Sequence, residues 1–130
     1  MGTIEGTGRV KTVRGEYDFA VDGGAVSTIT LRGDNTIPAG AVILGGYVEV
    51  DTAVTSGGAA TVAVNVEGAG DTVAAAVVSG APWSTTGRKS VIPAFTGATT
   101  LKTSVARSIA ITIAVAVLTA GKFRVVLLYV

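Results

Sequence analysis

Apolar and polar residues alternate along most of the chain from residue 16 onward. In residues 16–22, aromatic or aliphatic side chains at 17, 19 and 21 alternate with acids at 16, 18 and 22, and valine takes every second position from 62 to 66. Residues 109–117 and 123–130 repeat the pattern near the C-terminus. A period of two residues is the signature of a strand with one buried face. The pattern therefore predicts an all-β protein.

Glycine pairs and short polar segments divide these strands. Gly23-Gly24 predicts the turn of a hairpin, and residues 119–122 (Thr-Ala-Gly-Lys) predict the turn before the last strand. Gly45-Gly46 interrupts the long apolar segment 41–54, which indicates a bulge or a close approach of two backbones. Strands of this length joined by glycine- and proline-containing turns favour a β-sandwich, jelly-roll-like in type.

Residues 71–78 have two interpretations. Asp71 could cap a helical turn running through the alanines at 74–76, whereas the valines at 73, 77 and 78 suit a strand. Because three successive alanines favour helix, we expect one helical turn or an irregular segment there.

The first fifteen residues differ from the rest. They show no sustained period, and Arg9, Lys11 and Arg14 stand against a single acid, Glu5. We expect residues 1–15 to form a flexible basic arm that becomes ordered on a partner, and residues 16–130 to form the sandwich domain. Three bases without interleaved aromatic residues argue against nucleic acid as that partner.

The composition removes many chemistries. The 130 residues include no cysteine and no histidine, which excludes thiol nucleophiles, thiolate metal sites and catalytic triads that use histidine. Only 15% of residues are charged, against about a quarter in an ordinary soluble domain. No apolar stretch approaches the length of about 20 residues needed to span a membrane. We therefore expect a protein that binds other molecules, with no enzymatic activity, no cofactor and no membrane partner.

Four acids could still supply a site. Glu49 and Asp51 share one face of a predicted strand, and Glu67 and Asp71 follow the next strand. Such carboxylates could form a hydrolase pair or a calcium site. No dense Asp/Asn loop accompanies them, so we favour solvated strand edges or ion pairs between subunits.

Residues 80–89 form the least regular segment and hold the single tryptophan. Trp83 could anchor an interface, or it could fold back over the core, which we favour because tryptophan is usually largely buried. The adjacent bases Arg88 and Lys89 are further candidate contacts for a partner.

Several segments resemble a family of small tailed-phage virion proteins, described as head or decoration (cement) proteins. They are FAVDGGAVSTITL (19–31), IPAGAVI (37–43), VDTAVTSGGAATVAVNVEG (50–68) and LTAGKFRVVLLYV (118–130). The resemblance implies a homotrimer on the exterior of the virion capsid that binds the major capsid protein and bridges its subunits. The alternative is a receptor- or glycan-binding head domain of a phage fibre or tail protein.

Overall fold

The computed structural model describes residues 9–91 and 102–130. Its strands are β1 (Lys11–Asp18), β2 (Ser27–Thr30), β3 (Ile43–Ser56), β4 (Thr61–Asn65), β5 (Val73–Val77), β6 (Gly87–Val91), β7 (Ala110–Ala114) and β8 (Leu118–Tyr129). A helical turn, α1 (Phe19–Asp22), follows β1. None of the helical structure in these ranges is long and apolar enough to cross a membrane.

The eight strands form two four-stranded antiparallel sheets. The first sheet has the order β1-β8-β3-β6 and the second has the order β2-β7-β4-β5. Of the consecutive strands, only β4 and β5 are neighbours within a sheet, and every other connection crosses from one sheet to the other. This is the arrangement of a jelly roll. The prediction of an all-β sandwich is confirmed.

The core lies between the two inner faces. On β8, Phe123, Val125 and Leu127 point inward and are at most 1% exposed. The inward residues of the second sheet include Val62 on β4 and Ile111 on β7, which are fully buried. Alternation along each strand thus places one set of side chains between the sheets and the other set outside.

Aromatic contacts link the sheets at one level of this core. The rings of Trp83 and Tyr17 lie 4.7 Å and 5.1 Å from the ring of Phe123, measured between centroids. The Trp83 indole Nε1 donates to the backbone oxygen of Val62 at 3.2 Å, and the Tyr17 hydroxyl donates to the backbone oxygen of Gly23 at 2.6 Å. Burial, with the nearby acids, raises the pKa of Tyr17 to about 12.

The predicted hairpin at Gly23-Gly24 is wrong. The Asp18 side chain accepts the backbone N–H of Ala20 and caps α1, and the chain then crosses to β2 in the other sheet. A side chain at Gly24 would come within 2.6 Å of the backbone oxygen of Leu118. The glycine is thus required by close packing at the crossover.

The predicted C-terminal turn at 119–122 is also wrong. β7 ends at Ala114, the chain turns through residues 115–117, and β8 already begins at Leu118. Gly121 lies within β8, where a Cβ atom would be 3.1 Å from the Val54 side chain. Glycine therefore allows close packing of β8 on β3 at this position.

Residues 73–77 form a strand, which corrects the expectation of a helical turn. Val77, Ala76 and Val73 pair with Thr61, Val62 and Val64 of β4, and a register shift absorbs one extra residue of β5. Pairing with β4 thus overrides the helical propensity of the three alanines.

The sandwich begins earlier in the chain than the sequence indicates. Residues 11–15, expected in the arm, belong to β1 and pair with residues 125–129 of β8. Val13 is 2% exposed and packs in the core. Residues 1–8 of the predicted arm lie outside the described residues.

The expected bulge and close approach at Gly45-Gly46 are confirmed. The pairing of β3 with β8 shifts register between Ile43 and Gly45. A Cβ atom on Gly46 would lie 2.0 Å from the backbone oxygen of Val126, far inside van der Waals contact. Two central strands therefore require glycine at position 46.

We predict that Gly46→Ala lowers the free energy of unfolding by about 3 kcal/mol, because the methyl group forces β3 away from β8. Urea denaturation monitored by circular dichroism measures this change. The matched control is Gly57→Ala, since nothing lies within 4 Å of its Cβ position. Equal denaturation midpoints for the two variants would contradict the prediction.

Candidate interaction surface

The outer face of the first sheet carries a row of alternating charge. Glu16 on β1 pairs in register with Arg124 on β8, Arg124 pairs with Glu49 on β3, and Glu49 pairs with Arg88 on β6. We call these four residues the charged row. Because antiparallel register places cross-strand partners on one face, the row extends across the whole width of the sheet.

Glu49 is the centre of the charged row. Its Oε2 lies 2.8 Å from Arg124 Nη2, and its Oε1 accepts from Arg88 Nη2 at 2.6 Å and from Nε at 2.9 Å. The hydrogen bonds from Arg88 and Arg124 hold the pKa of Glu49 below its ordinary value. The Arg88 guanidinium also lies 4.3 Å from the centroid of the Tyr47 ring, a cation–π contact.

A cleft of about 300 Å³ opens beside one end of the charged row. Asp18, Asp51, Arg32 and Lys122 are among the residues that line it. Arg32 Nε donates to Asp22 at 2.9 Å, which fixes one wall of the cleft. Side chains of both signs line the cleft, so its chemistry suits a polar protein surface better than a small ion of either sign.

Of the four acids singled out in the sequence, Glu49 and Glu67 form ion pairs within the chain. Glu67 receives Arg107 Nε at 2.9 Å and the Ser104 hydroxyl at 2.7 Å. These hydrogen bonds, with that from Arg107 the largest cause, lower the pKa of Glu67 to about 2. The Asp71 carboxylate accepts the backbone N–H groups of Val66, Glu67 and Gly68.

These carboxylates stabilise the fold by accepting hydrogen bonds from other segments of the chain. A general acid needs a raised pKa, whereas Glu49 and Glu67 shift in the opposite direction. Within residues 9–91 and 102–130, no three metal-ligating side chains form a cluster. The geometry thus favours the ion-pair interpretation of Glu49 and Glu67, with partners inside the chain instead of on another subunit, whereas Asp51 is exposed at the surface.

The three bases predicted in the arm are exposed. Arg9 precedes β1, and Lys11 is its first residue. Arg14 has the outward parity of β1, where it lies opposite Val126 of β8. None of the three forms an ion pair with another described residue.

The second group of predicted contacts, residues 83, 88 and 89, differs in exposure to solvent. Trp83 is fully buried against Phe123, which corrects its candidacy as an interface anchor and confirms the core interpretation. The Lys89 ammonium donates to the backbone oxygens of Pro82 and Thr85, so it braces this loop from within. Arg88 is the exposed member of the group, with 61% of its side chain exposed, whereas Lys89 is half-buried.

The structure separates Arg14 from Arg88. They lie on β1 and β6, the two edge strands of the first sheet, with β8 and β3 between them. Three strand spacings correspond to about 14 Å. The two basic groups therefore share a sheet but form no single patch.

Sequence reasoning missed two contributors to this face, Tyr47 and Arg124. Their partners, Arg88 and Glu49, are distant in sequence and meet only through the register of β3 with β6 and β8. In the sequence, Glu49 and Arg124 each alternate with apolar residues, which predicts that both point outward. That they are neighbours becomes evident only when the order of the strands is known.

The second sheet contrasts with the first. Its strands β2, β4, β5 and β7 contain no charged residue. Their outward positions are mostly alanine and threonine, joined by hydrogen bonds such as that from Asn65 Nδ2 to Thr112 Oγ1 at 2.8 Å. Charge is therefore partitioned between the two faces of the sandwich.

Solved structures of three phage capsids contain chains with a similar fold. One is from the capsid asymmetric unit of cyanophage Pam1, with 24% identity over 93% of this chain and 84% of that chain, and a TM-score of 0.61. The capsid of Ralstonia phage GP4 gives 20% identity over 94% and 83%, with a TM-score of 0.62. The acid-stable capsid of Helicobacter pylori bacteriophage KHP30 gives 12% identity over 92% and 86%, with a TM-score of 0.61.

No protein-family model and no curated protein matches the sequence. At these identities, the three structural likenesses establish the fold. They cover nearly all of this chain and most of each matched chain, so the shared unit is the complete sandwich.

We predict that Glu67→Gln lowers stability at neutral pH, because it removes a carboxylate whose pKa folding lowers from 4.5 to about 2. A carboxylate with a lowered pKa stabilises the fold above its unfolded-state pKa, and this contribution is lost as the pH falls through the folded-state value. The difference in melting temperature between wild type and variant should therefore shrink between pH 4.5 and about 2.

Glu16→Gln serves as the control for this pH dependence. Glu16 is exposed and forms no ion pair with a described residue. Calorimetry of the three proteins across this pH range measures the effect. A constant Glu67→Gln difference at all pH values would argue against the lowered pKa.

Proposed function

We propose that this chain is a phage capsid decoration (cement) protein. It binds the exterior of the shell formed by the major capsid protein, as a homotrimer, and bridges neighbouring capsid subunits. The observation that carries this proposal is the occurrence of the same sandwich, over more than 90% of this chain, in three phage capsid structures.

Chain size supports an accessory role in the capsid. The alignments cover 83–86% of the matched chains, so those chains are close to this one in length. The likeness is thus to small whole chains and not to one domain of a large shell subunit. A small jelly roll that accompanies a shell protein suits attachment to a surface that other chains have built.

The mechanism of stabilisation is thermodynamic. A protein that binds the assembled lattice and not its separated subunits stabilises the lattice by mass action. Attachment across a subunit boundary makes separation of those subunits require loss of the bound protein. A trimer strengthens a weak single contact through avidity, because the second and third contacts form within one complex.

The exposed bases Arg9, Lys11 and Arg14 are the proposed contacts with an acidic patch of the capsid. They lie at the start of β1 and have no ion-pair partner among the described residues, so attraction to a partner is not offset by a bond that must break. Arg88 at the opposite edge is already paired with Glu49 and is a weaker candidate.

The glycan-binding alternative loses its main support in the structure. It required Trp83 and the bases at 88 and 89 at an exposed tip, but Trp83 lies in the core and Lys89 is bonded to its own loop. We therefore advance the capsid proposal alone.

The direct test is electron microscopy of particles assembled with and without this protein, together with heating of both. We expect additional density on the capsid exterior and DNA release at a higher temperature when the protein is present. Density on the tail alone, or particles of equal heat stability, would overturn the proposal.

Charge reversal tests the basic contacts. We predict that Arg14→Glu weakens binding to particles about tenfold. The affinity of wild type for particles should also fall with added salt, since exposed charges are screened. Lys102→Glu, which makes the same charge change at another exposed position, should bind like wild type.

Point substitution is preferable to deletion here. Removing residues 1–15 would delete most of β1, including the buried Val13, and would confuse loss of contact with loss of folding. Equal binding of Arg14→Glu and Lys102→Glu in a sedimentation assay with particles would exclude the proposed contact.

A further inference from the structure

Val115 combines two unfavourable features. It is the only residue other than glycine with a positive φ among the described residues, at +74°, and it is 74% exposed. The backbone N–H of Ala116 donates to the oxygen of Ala114 at 2.9 Å, which closes a γ-turn around Val115. A γ-turn with positive φ is rare and strained, and a β-branched residue makes the strain greater.

Two further exposed valines flank this turn. Val117 is 54% exposed and Val26 is 52% exposed. The segments that carry them are adjacent, because Leu118 N donates to Gly24 O at 2.8 Å and Ser27 pairs with Ile113. We call Val26, Val115 and Val117 the valine knob.

A shallow apolar pocket of about 280 Å³ lies beside the valine knob. Gly58 contributes to its rim, and a Cβ atom on Gly58 would be 3.1 Å from the Ala116 side chain. The Ser56 hydroxyl, also in the lining, donates to the backbone oxygen of Val117 at 2.6 Å. The lining residues are Ala53, Val54, Thr55, Ser56, Gly58, Val78, Ser79 and Ser84.

The knob and the pocket are neighbours that match in chemistry, but the knob does not line the pocket of its own chain. Neither the pocket's lining nor its rim contains an ionisable side chain, and none of the three valines contributes to it. An uncharged pocket accepts an apolar side chain without desolvating a charge. The valine knob meets this requirement, since its three side chains are apolar and more than half exposed.

We propose that the valine knob of one copy inserts into the apolar pocket of a second copy. Knob-to-pocket contacts that run head to tail from copy to copy are heterologous, and they close into a ring when the rotation between copies permits. The inference rests on the self-association in the proposed function and names the surfaces that form it. It does not require the capsid.

The strain at Val115 supports a role in association. Asparagine and glycine are the residues that tolerate a positive φ, and a polar residue would suit this exposed position. The isolated chain thus gains nothing from valine here. A partner that buries the side chain offsets the unfavourable backbone.

Val115→Asn separates association from folding because the two effects have opposite signs. Analytical ultracentrifugation should show that wild type self-associates and that the variant's dissociation constant is roughly tenfold higher or more, as for loss of an interface anchor. The melting temperature of the dilute variant should equal or exceed that of wild type. Val105→Asn, at another exposed valine, is the matched control and should associate like wild type.

A second variant tests the pocket. Ser79→Arg places a large charged side chain in the pocket lining, and this variant should also dissociate. An equimolar mixture with Val115→Asn retains one intact knob, on the Ser79→Arg copy, and one intact pocket, on the Val115→Asn copy. The mixture should therefore form a one-to-one complex that neither variant forms alone.

Three outcomes would overturn the inference. They are a wild-type protein that is monomeric at high micromolar concentration, a Val115→Asn variant that associates like wild type, and a mixture that forms no complex. A Val115→Asn variant that keeps its oligomeric state but no longer binds particles would assign the knob to the capsid instead. Oligomers that form as expected but do not bind particles would uphold this inference and contradict the proposed attachment.

Discussion

The packing of Phe123 between Tyr17 and Trp83 is the contact on which the rest of the sandwich depends. Phe123 belongs to β8, the central strand that pairs with both β1 and β3, and Trp83 reaches the second sheet through its hydrogen bond to Val62. The inward direction of Phe123 also fixes the outward direction of Arg124. The charged row on the surface is thus a consequence of the aromatic contact in the core.

Local patterns predicted strands well where burial on one face dominates. β3, β4 and the second half of β8 overlap the apolar or alternating segments because their inward residues fill the core. The errors lie in the connections: alternation says which face is buried but not which strand is the neighbour, so chain crossings between sheets resembled hairpins. Gly121 resembled a turn because a glycine that allows close packing and a glycine that allows a turn are identical in sequence.

The candidate surface was predictable in kind but not in detail. The exposure of the bases at 9, 11 and 14 followed from their charge, and the burial of Trp83 followed from its size. The partnership of Glu49 with Arg88 and Arg124 could not be foreseen, because it joins residues on three strands. The valine knob was hidden for a different reason. Valine is a strand residue by propensity, so Val115 and Val117 extended the apparent strand through the turn.

The few charged residues of the chain are unevenly distributed between the two sheets. The charged row occupies the first sheet, while the four strands of the second sheet contain no charged residue. An uncharged face offers a partner little attraction at long range, but its burial leaves no charge without a counterion. Bases at the edge of one sheet suit capture of an acidic surface, and the valine knob and its pocket, which contain no ionisable side chain, suit close contact between copies. The two regions can therefore act together without competing for the same surface.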